Sequence, residues 1–265
     1  MLQGKRAFIT GSFQGIGLGV ATELASQGCA IVLHGLGDDA VIARATEAVL
    51  AAGASAVEAH ASDLRDSAAT EALIAAILAS GPVDILVNNA GIQHTAPLAE
   101  MPREKWNDII AINLSSAFDT MRLLMPHMAE RGYGRVINIA SVHGLVASID
   151  KAPYVSAKHG MIGLTKVAAL EYAAKGDANK GGVTVNAICP GWVETPLIEP
   201  QIQARAAKFD GDRQAGIADL LSEKQPSRRL ASGSDIGALA SWLCDVRAHN
   251  ITGTAIPVDG GWTAQ

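Results

Sequence analysis

The chain has 265 residues, 49% of them apolar and 18% charged, with a formal net charge of −5; this suits a large packed core and excludes a disordered chain. No basic block offers nucleic acid an electrostatic footprint, and no signal-peptide pattern or membrane-length apolar run is evident, so no nucleic-acid or membrane partner is expected. Cys29, Cys189 and Cys244 match no metal or Cys-x-x-Cys spacing, which points to a soluble cytoplasmic protein without disulfides or metal.

Seven short runs read as strands: KRAFIT (5–10), CAIVLHG (29–35), AVEAHAS (56–62), VDILVNN (83–89), GRVINIA (134–140), VTVNAIC (183–189) and GTAIPVD (253–259). Several are continuously apolar, as expected of strands covered on both faces. Alanine-rich helical stretches such as TEAVLAA and ATEALIAAIL alternate with them. The pattern predicts an α/β fold: a doubly wound, seven-stranded parallel sheet with helices on both faces. Ligands then bind where the strands end. No repeat or linker divides residues 1–265, so one domain is expected. The polar, helical stretch 197–226 reads as either a surface helix pair or a lid over that edge.

The first strand runs into TGSFQGIG (Thr10 to Gly17). Gly11 permits a tight turn, Gly15 a close backbone approach, and Gly17 the packing of a helix whose N-terminus faces a phosphate. The spacing is not the literal dinucleotide fingerprint, and glycine at such a turn can serve packing alone. The second strand ends His34-Gly35-Leu36-Gly37-Asp38. Neither an acid for ribose hydroxyls nor an arginine for a 2′-phosphate stands there, and Asp38 suits a helix N-cap, so NAD is favoured over NADP. Asp63-Leu64, after the third strand, suits an adenine contact or a cap equally.

The fourth strand ends in NNAG, followed by Gln93 and His94, with Asn113 further along in IIAINLSSAF. His94 is expected to be structural. The fifth strand ends at Ser141, with His143, Lys151, Tyr154 and Lys158 following. On a helix, Tyr154 and Lys158 share one face. An ammonium beside a phenol favours the phenolate, a base for an alcohol proton. Y-x-x-x-K pairs also arise by chance, but the serine at a strand end and the glycine loop make chance a minor reading. Lys151 and His143 read alone as an ordinary loop lysine and a turn residue.

TGSFQGIG, NNAG (Asn88 to Gly91), Asn113, Ser141, Tyr154/Lys158 and PGWVETP (Pro190 to Pro196) resemble the short-chain dehydrogenase/reductase family over essentially the whole chain. The resemblance implies a Rossmann-type fold and a catalytic set of Asn113, Ser141, Tyr154 and Lys158, the asparagine holding a water that links the lysine to solvent. It implies NAD contacts from Gly11, Phe13, Gly15, Ile16 and Gly17, and from Gly35, Leu36, Asp63 and Leu64. Asn89, Ala90 and Gly91, then Tyr154 and Lys158, then Pro190, Trp192, Val193 and Thr195 complete that set.

GIQHTAP (91–97), NIASVHGLVAS (138–148), KAPYVSAKHG (151–160), NAICPGWVETPL (186–197), EKQPS (223–227) and DGGWTA (259–264) resemble the family's members that act on (R)-3-hydroxybutyrate. That implies a small 3-hydroxy or 3-oxo acid as partner. Gln93, His143, Lys151 and Gln201 would hold its carboxylate, Ser141 and Tyr154 its reacting oxygen, and Trp192 and Trp262 its carbon chain. A homotetramer is likewise implied. His34 stands where the family usually has asparagine, KGDANKGGV (175–183) is longer than usual, and Asp150 adjoins Lys151. The alternatives are a 3-oxoacyl-carrier-protein reductase or sugar dehydrogenase of the same fold, and a non-catalytic dinucleotide sensor.

Overall fold

A computed structural model describes residues 2–264. Seven parallel strands form one sheet: β1 (Arg6–Ile9), β2 (Ala30–Gly35), β3 (Val57–Ala61), β4 (Ile85–Asn88), β5 (Tyr133–Ile139), β6 (Gly182–Pro190) and β7 (Ala255–Val258). Their order is β3-β2-β1-β4-β5-β6-β7. Five fall within the runs expected from sequence; β5 begins one residue early, at Tyr133, and β6 exceeds its run by one residue at each end.

Alternation along each strand sends apolar side chains to both faces. Ile9, Leu33, Val87 and Ile137 share a core with Val20 and Leu24 of α1 (Gly15–Ser26) and Ile236 and Leu243 of α9 (Gly233–Cys244). Phe8, Val32, Leu86 and Val136 face the other layer, with Ile74 and Ile77 of α3 (Ser67–Ser80) and Leu124 and Met128 of α5 (Ser116–Arg131). At roughly 25 cal/mol per Å² of apolar area removed from water, these two layers are the main source of stability. Pro257 sits in edge strand β7, where a missing backbone donor is tolerated.

The helices begin where short polar residues take up their first N–H groups. Asp38 accepts from Val41 N at 2.8 Å at the start of α2 (Asp39–Ala51), the capping role expected of it. Ser232 and Asp235 form a reciprocal capping box on α9.

Residues 197–226 contain α7 (Glu199–Ala206) and α8 (Arg213–Ser222). Their apolar residues Ile198, Ile202 and Leu220 cluster with Trp192, Ile217 and Leu230, apart from the two main layers. Arg205 pairs with Asp219 and Glu223, and Arg213 with Glu194 and Glu199. The lengthened segment 175–183 lies at the start of β6, the sheet edge opposite the strand C-termini.

Candidate active site

The order of the sheet reverses between β1 and β4, the position where doubly wound sheets leave a crevice beyond their strand ends. A cleft of about 490 Å³ opens there. It runs from Phe13 and Leu36 at one end to Trp192 and Trp262 at the other.

The glycine loop forms one wall. Gly11 has φ +63°, and a Cβ on it would come within 2.9 Å of Ala90 Cα, so only glycine fits this turn. Gly17 does not border the cleft: a Cβ there would strike Gly11 O at 2.3 Å, so it serves helix-to-loop packing. Asn89 secures the loop, its Nδ2 donating to Thr10 O at 2.9 Å and Gly11 O at 2.8 Å. Thr10 Oγ1 accepts from Asn89 N and Ala90 N. The sequence of α1 supplies no side-chain cap, leaving first-turn N–H groups and the positive dipole end free for a phosphate. This cradle fits a dinucleotide.

Gly35 packs flat against Phe13, and Leu36 is exposed on the rim. Among the described residues bordering this end, neither Arg nor Lys is present. Burial holds His34 down to about 4, hence neutral, with its Nε2 3.0 Å from Ser62 Oγ. Asp63 borders the cleft but is engaged by Arg65 through two-pronged contacts, whereas Asp66 caps α3. Ile16, Leu64, Gly91, Pro190, Val193 and Thr195 also border the cleft.

The reactive groups come from β5 and α6 (Ala152–Tyr172). Ser141 ends the strand connection, and its Oγ accepts from His143 N at 3.1 Å. Tyr154 stands in the first turn of α6, packed with Ile109 and Ala157. Burial pushes its phenol up from the usual value, and a hydrogen bond with Ser141 pulls it down. Lys158 Nζ lies 5.7 Å from the Tyr154 ring centroid and donates to Ile139 O at 2.7 Å. Burial lowers it to about 8. The phenol thus has Ser141 as its hydrogen-bond neighbour, with the Lys158 ammonium close to its ring.

Asn113 is fully buried in a π-turn, Ala111–Ser115, between α4 (Arg103–Ile110) and α5. Its Oδ1 accepts from Ile92 N and its Nδ2 donates to Ile92 O, both at 2.9 Å. The side-chain amide is therefore committed to clamping the loop that follows β4, beside the cleft rather than in its wall.

Past Tyr154 the cleft turns polar and aromatic. Trp192 and Trp262 lie with ring centroids 5.7 Å apart. His143 meets Trp262 edge-on at 5.4 Å and Tyr154 at 6.1 Å. Burial, then the charges of Lys151 and Lys224, bring His143 down to about 4. It is a neutral hydrogen-bonding group rather than a cation, and its Nδ1 is buried without a partner. Lys151 is buried just ahead of α6, its Nζ 5.4 Å from the Trp192 ring. Burial and Lys224 lower it to about 8, so it stays mainly charged at neutral pH.

Gln93 borders the pocket with these groups. Gln201 does not: it rides on α7, outside the wall, with its Oε1 buried and unpartnered. Sequence reading missed several contributors. Ile139 supplies the carbonyl that holds Lys158. Asp259 fixes the Trp262 turn by accepting from Gly261 N, Thr263 N and Thr263 Oγ1. Gln225 Oε1 accepts from Trp192 N at 3.0 Å. Asp-Gly-Gly before an aromatic is a turn signal that pointed to the second of these; the other two have no local signature.

The model of the short chain dehydrogenase family matches residues 5–206. D-beta-hydroxybutyrate dehydrogenase of Cupriavidus necator is 47% identical over 268 residues, covering 100% of both chains. The Rhizobium meliloti protein of the same name is 44% identical, over 98% of this chain and 99% of that one. Among solved structures, a variant of actinorhodin polyketide ketoreductase with NADPH superimposes with a TM-score of 0.89 at 32% identity, over 98% of each chain.

Proposed function

We propose, from the premise that this chain belongs to the short-chain dehydrogenase family, that it interconverts (R)-3-hydroxybutyrate and acetoacetate with NAD. One observation carries the substrate: beyond the phenol, the cleft ends in a buried lysine on which another lysine, and no carboxylate, bears. A buried ammonium calls for a counter-charge. A short acid supplies it, with Trp192 and Trp262 offering an apolar wall for its carbon chain. Two full-length relatives named for that activity support the reading.

In oxidation, Tyr154 Oη, as the phenolate, takes the hydroxyl proton while the C3–H bond breaks; in reduction the phenol gives its proton to the carbonyl oxygen. The dinucleotide, when bound, supplies the hydride acceptor or donor. Ser141 Oγ holds the same substrate oxygen, oriented by the His143 N–H it accepts. Lys158, with two ammonium protons beyond the one given to Ile139 O, would hold the nicotinamide ribose. Asn113 keeps the wall opposite in place through Ile92. Lys151 carries the charge that meets the carboxylate; His143, Gln93 and Gln201 would add neutral hydrogen bonds. For Gln201 this requires α7 and α8 to swing inward as a lid, a motion their separate small core permits.

NAD is favoured over NADP because a 2′-phosphate would meet Leu36 and neutral His34, with no Arg or Lys among the described residues lining that end and nearby Arg65 engaged by Asp63. With (R)-3-hydroxybutyrate, kcat/KM for NAD should exceed that for NADP by roughly tenfold or more, the worth of one charge-assisted contact. Steady-state rates with each cofactor check this, and a preference for NADP would overturn the assignment.

Butyrate, which lacks the reacting hydroxyl, should bind competitively with a pH dependence set by the pocket. Lys151 must be protonated to hold it, and Lys224 and neutral His143 are the titratable groups facing that ammonium. Affinity is expected to be flat near neutrality and to weaken as pH rises through about 8, the lowered value of Lys151. Inhibition constants across pH test this; an unchanged value from pH 7 to 9.5 would contradict it.

We further propose a homotetramer in the cytoplasm. Exposed apolar residues on α5 and α6 (Phe118, Val167 and Leu170), and Trp242 with Val246 near the end of α9, favour assembly. Cys29, Cys189 and Cys244 are free and buried, and no helix among the described residues is long and apolar enough to cross a membrane. Light scattering should give four times the chain mass of 27.4 kDa.

A further inference from the structure

The EKQPS segment (223–227) follows directly on α8 and supplies no group that touches the substrate in the reading above. It touches both tryptophan loops. Gln225 is 3% exposed, and its Oε1 holds Trp192 N while its Nε2 donates to Arg229 O. Ser227 N donates to Gly260 O at 2.9 Å, in the turn that leads to Trp262. The approach is close enough that a Cβ on Gly260 would overlap Ser227 Oγ at 2.1 Å, and one on Gly191 would meet Gln225 Oε1 at 2.8 Å. Glycine at both positions lets the segment seat against the loops.

That seating places Lys224 Nζ 5.5 Å from the Trp262 ring centroid. On the neighbouring indole, Lys151 Nζ stands 5.4 Å from the Trp192 centroid. The two rings are themselves 5.7 Å apart. Two lysines thus flank one pair of indoles, with His143 edge-on to Trp262 between them and the phenol. Of the neighbouring acids, Glu223 feels the charge of Lys224 but is hydrogen-bonded to Arg205, and Asp259 accepts from Gly261 and Thr263. Among the described residues, neither lysine makes an ion pair. Lys224 is half-buried and stands outside the cleft wall.

We infer that Lys224 is a second cation of the acid-binding pocket, a positioning residue that acts on a bound carboxylate through space and through its contact with Trp262. A charge close to a low-dielectric wall of indole and imidazole focuses its field into the cleft. The same field reaches Lys151 and His143, whose proton affinities it lowers. An entering anion therefore relieves repulsion between two ammonium groups as well as pairing with one. Because Lys224 closely follows α8, anion attraction also depends on how the α7–α8 pair is seated. This inference rests on the reading of the ligand as a small 3-hydroxy acid.

The test compares wild type, Lys224→Gln and Lys224→Arg in steady-state kinetics with (R)-3-hydroxybutyrate and with its uncharged methyl ester, at low and high salt. Lys224→Gln should raise KM for the acid by roughly 3- to 10-fold, the range of a partly solvated charge contact, with kcat within about twofold. Its KM should also lose part of the wild-type salt dependence. Lys224→Arg should restore KM, and NADH affinity and melting temperature should stay at wild-type values in both variants. A Lys224→Gln protein that is folded and has unchanged KM for the acid overturns the inference alone. An equal rise for the ester also overturns it, since Lys224 would then merely prop Trp262. Wild type that turns over no 3-hydroxy acid overturns both the inference and the functional reading beneath it.

Discussion

Tyr154→Phe is expected to lower kcat for 3-hydroxybutyrate oxidation by roughly 10²–10⁴-fold, the usual contribution of a positioned acid–base group. No nearby group is free to replace the phenol. Lys158 Nζ is drawn to Ile139 O, and His143 is buried and edge-on to the Tyr154 ring. Ser141 has no basic partner of its own: its Oγ accepts a backbone N–H from His143. The phenol oxygen hydrogen-bonds with Ser141, and the ring packs on Ile109 and Ala157, so phenylalanine keeps the packing and removes only the proton carrier. NADH binding and the melting temperature should therefore be close to wild type. A variant retaining more than about a tenth of kcat would place the proton transfer on another group.

Lys151→Met should separate binding from folding in opposite directions. One charge-assisted contact is worth roughly 1.5–3 kcal/mol, so kcat/KM for the acid should fall by about 10- to 150-fold. The methyl ester, which has no charge to hold, should lose little. The fold should gain: Lys151 is a buried ammonium whose main electrostatic neighbour is another cation, and methionine of similar length removes that desolvation cost. Melting curves should show a variant at least as stable as wild type. Equal kcat/KM on the acid would remove Lys151 from carboxylate binding; a less stable variant would mean that a structural partner holds it.

The strands were legible because continuous apolar runs bounded by turns have few other solutions, and all seven pair as the alternation of strand and helix required. The glycine loop and Ser141 stood out because each lies just after a strand, Tyr154 because of its spacing to Lys158, and Trp192 and Trp262 only through the family resemblance. Three features were not legible. The i,i+4 spacing of Tyr154 and Lys158 fixed a shared face but not where the ammonium points, and that is decided by Ile139, nineteen residues away in sequence. The charge state of His143 depends on burial and on Lys224, eighty-one positions further along. Gln201 carries a side chain of the right type, but its place depends on how α7 sits against the body. Local pattern specifies which residues are presented at the sheet edge; long-range packing specifies their protonation and reach.

The same separation explains why Asn113 reads as unremarkable in sequence. Only the π-turn and the return of the chain at Ile92 convert its amide into a clamp for the cleft wall. Lys224 is a stronger case, because nothing within EKQPS itself indicates that the lysine stands over an indole on a turn thirty-eight residues later.

The central claim, a nicotinamide-linked enzyme for a small 3-hydroxy acid, is tested most directly by following NADH formation with the separated enantiomers of 3-hydroxybutyrate. The site supports a small 3-hydroxy acid, and the full-length likeness to proteins named D-beta-hydroxybutyrate dehydrogenase predicts turnover of the R-form and none of comparable rate with the S-form. Equal use of both, or no reaction with the R-form, would contradict it.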